Sequence, residues 1–461
     1  MNQRLEQLEH MPVGRLLWQY SLPGVVGMLV QALYNVVDRI FIGQWVGADA
    51  IAGLTVTFPL MNLATAIGVL VGVGSCSRIS IVLGAGDHPM AERILGNALT
   101  LTLINAIVYI ALFGIFMDPL LTAFGASANT LPLARSYMMT LLPGLMLTNV
   151  AFSLNNVMRA SGYPRRAMMT MIIGAVANCI LDPIFIRVLD MGIVGAALAT
   201  DISMAISAVF VLAHFCRRDT TLRFRRHTFG LDRTIILAIV SIGAAPALVN
   251  AAACGINAIV NTSLIAYAPA GTADTAIAAA GIFVTYTSLS VTVVLGICQG
   301  FQPIVGFNYG AGHLHRLRHA YFLAVAVASV LTAAPSVFAM ICPQYVALAF
   351  TDDRTLIDTT AFALRHSTWA FSVVGFQIIS TTFFQSIGKA GKSIFLSLTR
   401  QIIFLVPLLL LLPRDMEVRG VWMAFPLSDI LATVVTGTMI YFQFRALRGA
   451  GGHPIARSSA L

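Results

Sequence analysis

Apolar runs of about 20 residues recur along the whole of this 461-residue chain. A helix of that length rises about 30 Å, which is the thickness of the hydrocarbon core of a bilayer. Hydrophobic residues make up 58% of the chain and charged residues 10%, whereas about 25% charge is usual in a soluble domain. The chain is therefore predicted to be a multi-pass membrane protein, and its formal net charge of +9 is read as loop asymmetry rather than as affinity for nucleic acid.

The runs divide into twelve predicted transmembrane helices, and the short loops between them make neighbouring spans antiparallel. Residues 1–15 are polar and show no cleavable signal, so the first run is expected to be a full span. The predicted spans are 16–42, 52–82, 95–117, 133–155, 167–188, 192–216, 234–266, 276–306, 319–342, 359–384, 394–413 and 419–444.

Arginine and lysine are concentrated in alternate loops, which predicts the orientation of the chain. Both termini are expected to be cytoplasmic, in a cytoplasmic (inner) membrane, and this agrees with an even number of spans. The basic loops and ends carry Arg4, Arg15, Arg93, Arg159, Arg165, Arg166, Arg217, Arg218, Arg223, Arg225, Arg226, Arg233, Arg316, Arg318, Lys389, Lys392, Arg445, Arg448 and Arg457.

The two halves of the chain are predicted to be repeats. A shift of 226 residues brings Ala50-Ile51-Ala52 onto Ala276-Ile277-Ala278 and Gly84-Ala85-Gly86 onto Gly310-Ala311-Gly312. A six-span unit keeps its orientation when it is duplicated, so the repeats are expected to be parallel, with a cleft between two lobes. The predicted divisions are a cytoplasmic segment 1–15, an N-lobe 16–216, a basic linker 217–233, a C-lobe 234–444 and a cytoplasmic tail 445–461.

One turn of span five, Asn178-Cys179-Ile180-Leu181-Asp182-Pro183, places an acid inside an apolar run. A carboxylate at this depth costs several kcal/mol on insertion scales, so it is either masked or used. Asn178 lies four residues earlier on the same helical face, and Pro183 leaves the carbonyl of Cys179 without its helical donor. These groups are ligands for a proton or a hard cation such as Na⁺. The alternative is a kinked helix whose acid pairs with a neighbouring arginine.

Other polar groups are candidates for the same site. Asp38 in span one is expected to face the interior near Asp182, or else to pair with Arg39 and extend to the interface. Thr200 and Asp201 in span six can complete the site, although Asp201 can equally pair with an arginine. The shift of 226 residues places Leu264, Phe404 and Leu408 where the first half has Asp38, Asn178 and Asp182. An ion coupled to transport is therefore expected in the N-lobe.

Polar and aromatic residues on several spans are candidates to line a substrate cavity, although ordinary helix packing is the alternative for each. They are Gln31, Tyr34, Asn35, Phe152, Asn155, Phe283, Tyr286 and Gln299. No phosphate loop, zinc motif or nucleophile elbow is present, and no cofactor is predicted. The six cysteines are expected to be inert core residues, and His313, His315 and His319 to lie in a solvated loop.

Five segments, 34–43, 48–53, 159–164, 178–183 and 309–312, carry recognisable motifs. Together they resemble the multidrug and toxic compound extrusion (MATE) transporters. The resemblance implies a V-shaped pair of six-helix bundles that exports organic cations and amphipathic drugs in exchange for protons or sodium. It implies a cation site at Asp38, Asn178, Asp182 and Thr200. The protein is expected to be a monomer, with small cationic or amphipathic molecules and membrane lipids as its partners. Spans seven and ten lack the central acids of some relatives, so coupling is expected in the N-lobe.

Two alternatives remain open from the sequence. A lipid-linked oligosaccharide flippase of related architecture needs arginines in its cavity, and Arg39, Arg78 and Arg400 are the basic residues at membrane depth. An integral-membrane enzyme would need a polar catalytic cluster, such as a metal held by Asp182 and Asp201.

Overall fold

The computed structural model describes residues 3–128, 130–269 and 271–449, and within these ranges it contains helices and turns but no strands. Each predicted span lies on helical residues to within one residue of its ends, except that span ten is interrupted at residues 368–370. The predicted tail falls largely on residues 450–461, which lie outside the described residues together with Arg457. The first half comprises α1 (Gln3–His10), α2 (Val13–Trp45), α3 (Ala48–Gly84), α4 (His88–Ala123), α5 (Leu131–Ala160), α6 (Pro164–Pro183) and α7 (Gly192–Cys216).

The second half repeats this order with two local differences, and ten helices of the described residues are individually long and apolar enough to cross a membrane. The difference from twelve arises because span ten is split and spans eleven and twelve run on as one helix. The helices are α8 (Arg233–Tyr267), α9 (Ala273–Gly310), α10 (Leu314–Ile341), α11 (Pro343–Leu348), α12 (Arg354–Ser367), α13 (Val374–Ser386), α14 (Ala390–Leu398) and α15 (Val406–Gly449).

Span ten is broken between α12 and α13, and hydroxyl side chains bond to carbonyls at the break. Ser367 and Thr368 donate to carbonyls of the preceding turn, and Ser336 of α10 donates to the carbonyl of Thr368. These bonds compete with the helical ladder. In α15 the chain turns at Glu417, which has a left-handed φ of 49°, and Gly420 lies directly against the backbone of Leu412. A side chain at residue 420 would prevent this tight reversal.

The turns 85–87, 161–163, 311–313 and 387–389 and the linker 217–232 lie at one end of the helices. Most of the Lys and Arg residues named above lie in the linker or on the helix ends beside these turns, so we call this the basic end. The first lobe, α2 to α7, and the second, α8 to α15, meet through α2 on α9, α3 on α8 and α3 on α9. The repeat equates α2 with α8 and α3 with α9. The first two contacts are therefore copies of one interface, and the third lies on the two-fold axis.

The seam between the lobes is closed near the basic end by helices in direct backbone contact. Gly84 lies against the carbonyl of Phe307, and its repeat partner Gly310 lies against the carbonyl of Ile81. Nearer mid-span, a Cβ on Gly300 would come within 2.5 Å of the Ser21 nitrogen. Only glycine allows such an approach. The side-chain bonds that cross the seam between described residues also lie in this half. At the opposite end polar residues of α8 are exposed, which agrees with lobes that diverge there. The exposed residues are Asn250, Asn257 and Asn261.

The linker 217–232 is docked on the first lobe. Arg225 pairs with Glu92 of α4 at 2.6 Å, and Arg93 pairs with Asp232 at 2.9 Å. Asn97 of α4 donates to the carbonyl of residue 230 and accepts from the backbone of Asp232. The linker is therefore expected to move with the first lobe, and only part of its basic cluster is left to face lipid or water.

Candidate functional site

Asn178 holds the centre of a polar cluster inside the first lobe. Its Nδ2 donates to Asp182 Oδ1 at 3.2 Å and to Thr200 Oγ1 at 3.3 Å, which links α6 to α7. Asn178 and Asp182 are both fully buried. The four-residue spacing puts their side chains on one face. Directly after Pro183 the helix widens into a π-turn, Ile184–Val188, so the cluster lies where the helical ladder is already altered.

Asp38 of α2 joins the cluster. Its carboxyl group and that of Asp182 lie within hydrogen-bonding reach of each other. Such a bond needs a proton on one of the two groups, because ionised carboxylates only accept. Tyr34 of α2 and the buried Tyr137 of α5 lie close to both acids. Sequence reasoning missed Tyr137, whose only signal was a hydroxyl within an apolar run.

Three buried oxygens of the cluster have no hydrogen-bond partner among the described residues: Asp38 Oδ1, Asn178 Oδ1 and Asp182 Oδ2. A buried acceptor without a donor costs about 1–3 kcal/mol, so each is a position where a bound species would be stabilising. A proton satisfies a carboxyl pair, and a hard cation takes several such oxygens. The arrangement can therefore bind either, and Thr200 adds a hydroxyl beside it.

Asp201 follows Thr200 but faces another way. Its carboxylate lies against the backbone of Gly144 in α5, and its Oδ1 has no partner among the described residues. Neither Asp201 nor Asp38 forms an ion pair with an arginine in the part of the chain that the structure describes. Arg39 is exposed, with its guanidinium 5.3 Å from the ring centre of Phe58.

At the position equivalent to Asp201, the second lobe has Asp429, whose charge is paired with that of an arginine. Arg400 Nε donates to Asp429 Oδ1 at 2.6 Å, and Asp429 is buried. Gln377 donates to the Asp429 carbonyl and to Thr433 at 2.7 Å. This network binds its own cation in the form of a guanidinium, so it leaves no free carboxylate for a transported ion.

The predicted cavity residues of the first half differ in how deeply they are buried. Gln31, Tyr34 and Phe152 are half-buried, and Asn35 is exposed and donates to the carbonyl of Gln31 on its own helix. Asn155 is buried and donates to the carbonyl of Ala167 in α6 at 2.7 Å. Asn155 thus joins two helices of the first lobe instead of facing the cleft.

Of those in the second half, Phe283 lies in the lobe's core, packed against Trp422 and Phe425. Tyr286 donates to the carbonyl of Pro335 at 2.8 Å, which joins α9 to α10. Gln299 alone lies at the seam, where it accepts from Arg159 of α5 at 2.6 Å. The structure therefore does not bring these three residues together.

The sequence pattern predicts that Arg159 is a loop arginine, yet only 2% of it is exposed. It also donates to Asn156, a residue of its own helix, at 3.1 Å. No group of three metal-ligating side chains occurs in the described residues. His313 and Arg316 lie beside α1 in an open depression at the basic end, where Arg316 binds the carbonyls of Leu8 and Met11.

The geometry defines a two-lobed, multi-pass membrane protein with a buried carboxyl cluster in one lobe, as expected of a secondary transporter. The sequence profile of the MatE family matches residues 23–184 and again 246–411, which also identifies the two halves as repeats. The chain belongs to the MatE family, and it is a transporter rather than an enzyme.

Relatives and solved structures agree with this assignment. The chain is 28% identical over 426 residues to a FAD transporter of Shewanella oneidensis, covering 91% of this chain and 92% of that protein. It is 24% identical over 442 residues to the multidrug export protein MepA of Staphylococcus aureus, covering 95% and 96%. Both alignments cover most of the chain, so they include both lobes.

The solved structures confirm the predicted all-α fold of twelve spans in two parallel repeats. A MATE transporter in a bent conformation has a TM-score of 0.91 at 26% identity, with 98% of this chain and 99% of that chain covered. An outward-facing multidrug resistance MATE transporter has a TM-score of 0.89 at 27% identity, with 96% and 98% covered.

Proposed function

We propose that this protein is a secondary active antiporter that exports organic cations and amphipathic drugs in exchange for protons or sodium. The observation that carries the proposal is the set of three unpartnered buried oxygens on Asp38, Asn178 and Asp182. A coupling ion neutralises charge there, and it favours whichever lobe arrangement offers it the better ligands. The proposal places the basic end and both termini in the cytoplasm, with substrate released at the opposite end.

The coupling step follows from the position of the cluster on three helices. Asp38 lies on α2, which also packs against α9 across the seam, whereas Asp182 and Thr200 lie on α6 and α7. Loading the cluster with a cation draws α2 towards α6, and loss of the cation lets two carboxylates repel each other. A shift of α2 alters the seam directly. Ion binding and lobe movement are then linked through one helix.

The test is efflux of ethidium from proteoliposomes under a pH gradient alone or a sodium gradient alone. Asp182→Asn is expected to abolish gradient-driven efflux under whichever gradient drives the parent. Asp118→Asn is the matched control, because Asp118 is a partly exposed acid of the same lobe that pairs with Arg135. Equal efflux by Asp182→Asn and the parent, with both proteins folded, would show that the acid is structural.

A second candidate is export of a flavin nucleotide, which the relationship to a FAD transporter favours. A flippase for lipid-linked oligosaccharides is less well supported. Of the three arginines such a cavity would use, Arg39 is exposed over Phe58 and Arg400 is paired with Asp429.

A further inference from the structure

We propose that Arg159 is a recognition site for the acidic group, phosphate or carboxylate, of a transported substrate, and that it acts when the lobes part at the basic end. The inference rests on the proposed transport function and extends its substrate class. Besides cations, the protein would take amphipathic molecules that carry an acidic group.

The first argument is the burial of an uncompensated charge. Arg159 Nη1 and Nη2 donate to the neutral oxygens of Gln299 and Asn156, and Nε has no acceptor among the described residues. None of the ion pairs in these residues includes Arg159. A buried charge is normally paired with an opposite charge or fully hydrogen-bonded. The guanidinium therefore keeps an unused capacity to bind an anion.

The second argument is the direction of the side chain. Arg159 is in the last turn of α5, where a basic residue is favourable beside the carbonyl ends of the helix. A residue serving only that purpose, or anchoring to lipid headgroups, extends into water, as the exposed Arg165 does. Arg159 instead reaches across the seam to the other lobe. Its contact with Gln299 therefore exists only when the two lobes are packed together as they are here.

The third argument is what lobe separation does to this site. Gln299 belongs to α9 and also contacts the sulfur of Met28 in α2 at 3.1 Å. When the seam opens, Gln299 leaves with the second lobe, and Nη1 joins Nε as a donor without an acceptor. The opening faces the basic end, where substrate enters. Arginine recognises phosphate and carboxylate through such charge-assisted bonds.

The experiment is equilibrium binding of matched fluorescent probes to the purified full-length protein. Riboflavin 5′-phosphate against riboflavin tests phosphate, norfloxacin against its ethyl ester tests carboxylate, and ethidium reports cation binding. We expect the parent to bind at least one acidic probe about tenfold more tightly than the matched probe that lacks the free acid. Arg159→Gln is expected to remove that preference and to change ethidium affinity less than about twofold, and Arg159→Lys to keep part of the preference.

A second variant keeps the test independent of folding. Gln299→Glu places a carboxylate against Arg159 Nη1, so it is expected to raise thermal stability and to abolish the preference for the acidic probe. Gln302→Ala is the matched seam control, since Gln302 donates to the Val73 carbonyl one turn away, and it is expected to keep the parent's preference.

Three results would overturn the inference: no preference in the parent for either acidic probe, a preference that survives Arg159→Gln, or equal weakening of every probe. Failure of ethidium efflux under both gradients, with the acidic preference intact and lost in Arg159→Gln, would refute antiport and leave the anion site standing. Ethidium efflux without any acidic preference would do the reverse.

Discussion

Gly300 offers the sharpest test of how the seam closes. In Gly300→Ala the new Cβ would lie 2.5 Å from both the Ser21 nitrogen and the Tyr20 carbonyl carbon. Both are backbone atoms, so no flexible side chain can move aside. Ordinary contact begins near 3.4 Å, so α2 and α9 must move apart by roughly 1 Å. Overpacking of this kind costs about 1–3 kcal/mol.

That cost falls only on the arrangement that is closed at the basic end, because the contact crosses the seam. The equilibrium between closed and open arrangements is therefore expected to shift by about 5–150-fold towards opening at the basic end. Gly281→Ala is the matched control on the same helix, because a Cβ at Gly281 meets open space. It is expected to stabilise α9 by less than about 1 kcal/mol and to leave the equilibrium unchanged.

The assay is the distance between spin labels at residues 88 and 315, exposed positions in the first turns of α4 and α10, in a background without native cysteines. Gly300→Ala is expected to increase the population at long distance, and Gly281→Ala to match the parent. Identical distance distributions for Gly300→Ala and Gly281→Ala would refute the reasoning that glycine contacts hold the lobes together.

Three further outcomes follow from contacts elsewhere in the structure. Asp429→Asn leaves the partly buried Arg400 without its counter-charge and is expected to lower the free energy of unfolding by about 3 kcal/mol, as measured by thermal unfolding in detergent. Replacing both residues by leucine should recover most of that stability. Equal loss of stability in both variants would contradict the pairing. The backbone amide of Thr234, with a smaller contribution from Arg93, holds the pKa of Asp232 below its usual range. The bonds that Asp232 makes are therefore fully formed above about pH 4 and lost only as the pH falls further. Protection of the linker amides, after correction for the intrinsic pH dependence of exchange, should be uniform across neutral pH and lower throughout in Asp232→Asn. Arg316→Ala removes the donor that binds the carbonyls at the end of α1, and faster proteolysis of the first residues is expected, whereas unchanged cleavage would show that α1 is held by its leucines alone.

The positions of the spans could be predicted because each depends only on the length of a local apolar run. The partnership of Asn178 and Asp182 could also be anticipated, since a four-residue spacing fixes one helical face. Phe283 and Arg159 show where this reasoning stops. These helices are apolar on most faces, so periodicity does not tell which face meets lipid, core or cleft. The burial of Arg159 depends on α9, which is 140 residues away, and no local pattern carries that information.

The two lobes are repeats of one six-span unit, and their differences indicate that they play different roles in coupling. In the first lobe Asp182 and Asp38 leave oxygens without partners, so this lobe can respond to an ion. In the second lobe Arg400 pairs with Asp429, so we expect that lobe to respond less to an ion. A transporter in which only one lobe responds needs a helix that carries the response across the seam. Helix α2 meets that need, because it bears Asp38 near the opposite end and packs against α9 near the basic end.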